Sequence, residues 1–331
     1  MKLTKNQIDK LNIELTMNIE AADYAEIEKK KLNDCRRRAD FKGFRKGNVP
    51  MSLVQRVYGP QVLADSINEV IGNGLQKFID DEKLNILGEP LSSENQKEVE
   101  WKSGNDFEFV FDLGLRPEIN VDVVAEDEIP HYSITVSAKE KADMAENLKK
   151  YYEEKKDGEP KSDEEIEKEV AERLKDNYKQ EAEWRLSKDI RNFYVQKAAV
   201  ELPEAFLKRW LLHANEKVNA EQLEQEFPAF LEDFKWQLVR NSLMKKFELQ
   251  ITADDIKDAA KAYVTYQYAM YGLGNLPEDM ISEAVNNVLH DQSQIDRLAE
   301  QVEDQKVLEK IKGIASLKSK KISSEKFREL K

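Results

Sequence analysis

The chain has 331 residues, 40% of them apolar, enough to bury at least one substantial core. Charged residues reach 35%, an excess common in long solvated helices, and 12 Gly with 9 Pro are too few for a turn-rich all-β fold. A net charge of -13 disfavours a general nucleic-acid binder, and the single cysteine excludes an intrachain disulfide. No apolar run predicts a secretory leader or a membrane span, so a cytosolic protein with no membrane partner is the expectation.

Residues 11–20 alternate cleanly, with Leu11, Ile13, Leu15, Met17 and Ile19 on one side, which predicts a half-buried strand. Asp23 offers a helix N-cap, and a helix is predicted from Tyr24 to about Ala39. FKGFRKGNVP then breaks it with two Gly and a Pro. A second helix follows from about Met51 to Asp81, with an expected interruption near Gly72–Gly74. Strands return at 106–115, where Phe107, Phe109, Phe111 and Leu113 alternate with Glu108, Val110 and Asp112, and at 129–136. Between Lys29 and Lys46 stand nine basic residues against two acids, a net +7 inside an acidic chain.

Past Ser137 the composition turns to Lys and Glu. Gly158 and Pro160 mark a break, and Ser162 with Glu165 has the form of a capping box opening the next helix. From there to about residue 312 only helices are predicted. The fold class that emerges is an α+β N-terminal domain over 1–135, with an antiparallel sheet, two long helices and a protruding loop. A charged linker or helix over 136–162 follows, then an all-α domain over 163–331 with helical arms, the whole elongated.

Gly43-Phe44-Arg45-Lys46-Gly47-Asn48-Val49-Pro50 resembles the ribosome-binding signature of trigger factor, Gly-Phe-Arg-x-Gly-x-x-Pro. Its setting fits as well: two flanking helices, a preceding strand, Val57-Tyr58-Gly59 after it, and Leu87-Gly88-Glu89-Pro90 downstream. The stretch from Leu202, with AFLKRWLLHANEK, is similar to the family's C-terminal domain in its Bacteroidetes-like form. The resemblance implies an ATP-independent chaperone without cofactor. It would dock on the large ribosomal subunit, at a tunnel-exit protein with rRNA nearby, and hold nascent or unfolded polypeptides. The docking residues would be Gly43, Phe44, Arg45, Lys46, Gly47 and Pro50, with Arg36, Arg37 and Arg38 supplying a salt-sensitive rRNA contact. Two glycines able to take positive φ, a Pro suited to a first helical turn, and an aromatic beside Arg make a credible docking tip. The sequence leaves open whether the free protein is a homodimer.

The family's FKBP-type isomerase domain has no counterpart here. The 22 residues between Ser137 and Pro160 are nearly all Lys, Glu, Asp and Ala, and cannot build an aromatic-lined proline pocket. A non-enzyme is therefore expected; a prolyl isomerase and a ribosome-docking adaptor without client binding are the alternatives. Client contact is expected at Tyr263, Tyr266, Met270 and Tyr271, where apolar residues circle the helix more widely than one buried face needs. The break at 272–277 would let a second arm turn back. Phe206 and Trp210 are weaker candidates, since their stripe has the spacing of an ordinary core face. His131, His213 and His290 show no metal-ligand spacing, and GLGN at 272–275 lacks the setting of a phosphate loop.

Overall fold

The computed structural model describes residues 1–154, 161–215, 218–273 and 277–330. They form two compact units: Met1–Glu118 with Glu201–Phe230, and Ile119–Val200 with Leu231 onward.

The first unit is built on an antiparallel sheet. Strand β1 (Lys2–Gln7) pairs with β2 (Asn12–Ile19). Helices α1 (Ala21–Arg38) and α2 (Met51–Asp81) follow, then β3 (Ile86–Ser92) and β4 (Phe107–Leu115), giving the strand order β1-β2-β4-β3. The period-two pattern of β2 is realised: Ile13, Leu15, Met17 and Ile19 are all excluded from water. Met17 and Ile19 join Tyr24 of α1 and Leu63, Ile67 and Val70 of α2, while Ile13 and Leu15 pack with Leu113 and the end of α2.

Three local expectations change. Helix α1 begins at Ala21, and Asp23 acts inside its first turn, where its carboxylate accepts the Glu20 N–H at 2.8 Å. Helix α2 runs unbroken through Gly72 and Gly74, and Gly74 faces the side chains of Met1 and Met17 at a close approach that a larger residue would fill. In β4, Val110 is buried together with Leu113, so the alternation is not clean. The second face of this sheet is covered by α5 (Glu204–Ala214), on which Arg209 pairs with Asp112 at 2.6 Å and Phe206 lies over Gly114.

Residues 201–230, including the first part of α6 (Ala220–Lys246), fall in the compact unit of the N-terminal sheet. The reason is steric: Gly114 and Gly88 leave the space that the rings of Phe206 and Trp210 occupy, and a Cβ at either glycine would meet the ring at about 2.5 Å.

The second unit holds the other departure. Strand β5 (Glu128–Thr135) lies outside the N-terminal sheet and pairs in parallel with β6 (Ser316–Ser323), so the C-terminal region is largely helical but not all-α. The same unit holds α3 (Ala138–Glu154), α4 (Asp163–Ala198), the rest of α6, α7 (Ala253–Met270), α8 (Glu278–Leu289), α9 (Gln292–Ile314) and the short α10 (Ser324–Glu329). The capping box forms as expected: Ser162 Oγ accepts the Glu165 N–H, and the Glu165 carboxylate accepts the Ser162 N–H at 2.8 Å. The expected break at Gly158 and Pro160 lies outside the described residues. Along α4 the buried positions step by four, from Ile166 through Val170, Leu174, Tyr178, Ala182, Leu186 and Ile190 to Tyr194. On a helix of 3.6 residues per turn such a stripe winds, so its two ends meet different neighbours. The first end packs with Leu148 of α3 and Ile134 of β5.

Two polar clusters lock the unit. Asp304 of α9 accepts from Trp236 Nε1 at 2.8 Å and pairs with Arg191 at 2.6 Å and buried Arg240 at 3.3 Å, joining α4, α6 and α9. Buried Asp127 accepts from Tyr194 Oη at 2.9 Å, Lys197 Nζ at 2.5 Å and the Val124 N–H at 3.0 Å. Burial pushes the Asp127 carboxyl up, but these donors outweigh it and hold the group below the usual carboxylate range. A carboxyl depressed in the native state adds stability that is present above its unfolded pKa, about 3.9, and is lost as pH falls through its native value. Asp127→Asn should therefore cost about 2 kcal/mol at pH 7. In urea titrations the gap between the two proteins should close as pH falls below about 4.

Candidate functional site

The connection between α1 and α2, residues 39–50, is anchored at both ends and free in the middle. Ala39 and Val49 are buried with Leu32, Val54 and Val62. Phe41 meets Tyr58 edge-on at 6.2 Å, and the Arg36 Nε–H donates to the Val49 carbonyl at 2.8 Å. Between these anchors run two four-residue turns, closed by Phe44 N–H to Phe41 O at 3.0 Å and Asn48 N–H to Arg45 O at 2.9 Å. Gly43 and Gly47 each occupy the third position of a turn, with φ of +94° and +86°. Nothing lies within 4 Å of a Cβ built at either one, so the requirement for glycine is conformational rather than spatial.

The consequence is that Lys42, Phe44, Arg45 and Lys46 all face solvent. The Phe44 ring is 43% exposed, an apolar group held in water between two cations. The arginines of α1 divide in role. Arg36 is half-buried and committed to the loop backbone, Arg37 is exposed at 3.6 Å from Asp34, and Arg38 is exposed. Pro50 is the N-cap of α2 rather than a first-turn residue: its carbonyl accepts from the N–H groups of Leu53 and Val54.

A second candidate surface lies on α7. Thr252 and Asp255 cap the helix reciprocally, and pairing with Lys306 at 2.6 Å, together with the Thr252 donors, holds the Asp255 carboxyl at about 2. Ala260 and Val264 form the buried stripe against Val285 of α8 and Leu298 of α9. The far face is open: Tyr266 is 66% exposed, Met270 71% and Tyr271 82%. Tyr263 is half-buried against the core, its hydroxyl accepting from Gln267 Nε2 at 2.6 Å. Helix α7 ends at Met270 and is stopped by Gly272, φ +77°, with the Leu273 N–H returning to Tyr268 O and the Gly272 N–H to Ala269 O. This is the glycine stop expected of a Schellman motif. The remainder of the expected break, 274–276, lies outside the described residues. Leu273 and Met280 are also exposed apolar residues of this unit, and neither belongs to a stripe that spacing could have singled out.

Phe206 and Trp210 do not join this surface. Phe206 is 5% exposed on Gly114, and Trp210 is half-buried on Gly88, both in the first unit. Phe206 is buried in its notch, whereas Trp210 is covered on the Gly88 side and keeps part of its surface in solvent. Cys35 packs partly buried beside the loop anchor. Among the described residues no cluster of His, Cys, Asp and Glu could hold a metal, and no helix is long and apolar enough to cross a membrane.

Residues 1–151 match the family model for bacterial trigger factor protein, and residues 182–331 match that for the probable trigger factor C-terminal domain. The chain belongs to the trigger factor family. Similar relatives are the trigger factors of Francisella tularensis subsp. novicida and Saccharophagus degradans. The first is 28% identical over 46% of this chain and 34% of its own length, the second 31% identical over 42% and 31%. The chain therefore aligns with about a third of the length of these curated trigger factors. A solved structure from work on promiscuous substrate recognition in folding and assembly by the trigger factor chaperone has the same fold. It has a TM-score of 0.53 and 13% identity, and covers 94% of this chain and 99% of that one.

The two faces of α7 should respond differently to substitution. Tyr266→Ser, Met270→Ser and Tyr271→Ser should each shift the unfolding free energy by no more than about 0.5 kcal/mol. Val264→Ala, which empties the stripe facing Val285 and Leu298, should cost about 1–3 kcal/mol. Thermal and urea unfolding of the four variants checks this.

Proposed function

We propose that the protein is an ATP-independent chaperone that docks beside the ribosomal exit tunnel through residues 43–50 and holds nascent or unfolded polypeptides on its helical unit. The observation that carries the reading is the loop: an exposed Phe44 flanked by the exposed cations Lys42, Arg45 and Lys46, held out by two positive-φ glycines inside a net +7 stretch. Such a tip is matched to a partner that offers carboxylates or phosphates around an apolar pocket. Membership of the trigger factor family supports the same assignment. Arg37 and Arg38, exposed on the last turn of α1, would meet rRNA phosphates, whereas Arg36 would shape the loop from within.

Client binding is assigned to Tyr266, Met270 and Tyr271, with Tyr263 at the margin. Mobile thioether and amphipathic ring surfaces suit partners of varied sequence. At about 25 cal/mol per Å² of apolar area, a few such contacts give weak, reversible holding. No isomerase activity is assigned, because residues 136–162 separate β5 from α4 and supply only the single helix α3 among their described members.

Replacing Phe44, Arg45 and Lys46 together with Ala should abolish cosedimentation with large ribosomal subunits while leaving the unfolding transition in place, since an exposed tip contributes little stability. Wild-type cosedimentation should weaken as salt is raised. Undiminished binding by the folded triple variant would refute the docking assignment. In a proline-limited refolding assay the protein should leave the slow phase at its uncatalysed rate, and it should suppress aggregation of an unfolded protein without ATP.

A further inference from the structure

Strand β5 is an edge. Its partner among the described residues is β6, on one side, so alternate backbone N–H and C=O groups of β5 point away from the ribbon. No backbone hydrogen bond joins residues 131–136 to any element other than β6 among the described residues. Proteins normally disarm such an edge with charges or proline. The β6 strand follows that practice with Lys318, Lys320 and Lys321. Strand β5 has Glu128 and Pro130 only at its start; from His131 to Thr135 it reads His-Tyr-Ser-Ile-Thr, with no Lys, Arg, Asp, Glu or Pro.

This strand lines a groove of about 570 Å³ that runs between β5 and α4, within the second unit. The groove has an apolar floor of Ile134, Val136, Leu174 and Tyr178. Its rim carries Lys141, Lys175 and Lys179, all exposed, and none closes an ion pair among the described residues. Glu183, the acid in the lining, is already engaged by Lys312 at 2.6 Å and by His131 at 3.5 Å, with Lys179 acting on it through space, so one acid faces several cations. The free charge along the groove is therefore positive.

We propose that this groove binds an extended acidic polypeptide segment, which adds to the β5 edge as a strand and sets its carboxylates against Lys141, Lys175 and Lys179. Three features converge on that occupant. The open backbone of β5 supplies main-chain hydrogen bonds that do not depend on sequence; the apolar floor takes alternate side chains; the lysine rim selects acidic residues at the positions between. The site is separate from the Tyr266–Tyr271 surface and does not rest on the ribosome-docking assignment.

The test uses the full chain and a fluorescein-labelled, end-blocked peptide of about eight residues alternating Glu with Val or Thr, a usual strand length. Fluorescence anisotropy should show saturable binding that weakens with salt. Lys175→Glu with Lys179→Glu should weaken it about tenfold or more. Methylating alternate backbone nitrogens of the peptide should weaken it comparably, and this arm needs no variant to fold. A Lys-for-Glu version of the peptide should not bind. Binding that is indifferent to the charge reversal in a protein with wild-type circular dichroism, or indifferent to N-methylation, overturns the proposal. So does binding lost in Tyr266→Ser/Met270→Ser, which would move the peptide to α7. A protein found dimeric by sedimentation equilibrium and dispersed by the peptide overturns it too, since a second copy would then own the edge.

Discussion

One face of β2 sets the geometry of the first unit. Ile13, Leu15, Met17 and Ile19 lie in a row along one side of a strand that is hydrogen-bonded on both edges, so it can neither slip nor turn. A shift of one residue would put all four into water and bring Asn12, Glu14, Thr16 and Asn18 inside. The row is long enough to engage α2 at two places: Leu63, Ile67 and Val70 near one end, and the Leu75–Ile79 turn near the other. With α2 fixed along its length and α1 tied to the same core through Tyr24, the far ends of the two helices are carried clear of the sheet.

What the helices hold at those ends is a loop whose order comes from backbone chemistry rather than from packing. Val49 and Ala39 close its base, Arg36 stitches α1 to the Val49 carbonyl, and two turns with glycine in the left-handed region bend the chain between them. Open space surrounds both glycines. That leaves Phe44, Arg45 and Lys46 in solvent at a defined place, which lowers the entropy an interface must overcome in ordering them. The chain's net acidity is no obstacle, because screening confines an exposed charge to roughly its own Debye length and the +7 stretch dominates locally.

The second unit relies on distant polar partners. Asp127 gathers donors from α4 and Asp304 from α4 and α6, and the β5–β6 ribbon joins residues nearly two hundred positions apart. Those fixed points let α7 be packed along one stripe only. A short Ala260–Val264 stripe suffices to seat it, so Tyr266, Met270 and Tyr271 are left exposed near a glycine stop. Tyr263 shows the boundary between the two roles: its ring leans on the core while its hydroxyl remains in hydrogen-bonding reach of Gln267.

Residue order alone specifies the local chemistry. The β2 alternation, the α1–α2 pair, the Ser162–Glu165 capping box, the glycine stop at 272 and the signature loop all depend on neighbours a few residues away, and each was legible as written. Features that rest on distant partners emerge only on folding. A ring finds its notch at Gly114 or Gly88 only when β3, β4 and α5 are brought together, so Phe206 and Trp210 looked like any aromatic stripe until they were placed. The lysine-rich β6 has no apolar period, because its pairing with β5 is made by backbone groups that every sequence possesses. Glycine at 72 and 74 signalled a helix break; tertiary packing along α2 overrode a propensity cost of about 1 kcal/mol each. Periodicity reports which residues can share a face, and only assembled neighbours determine which of those faces stays in water.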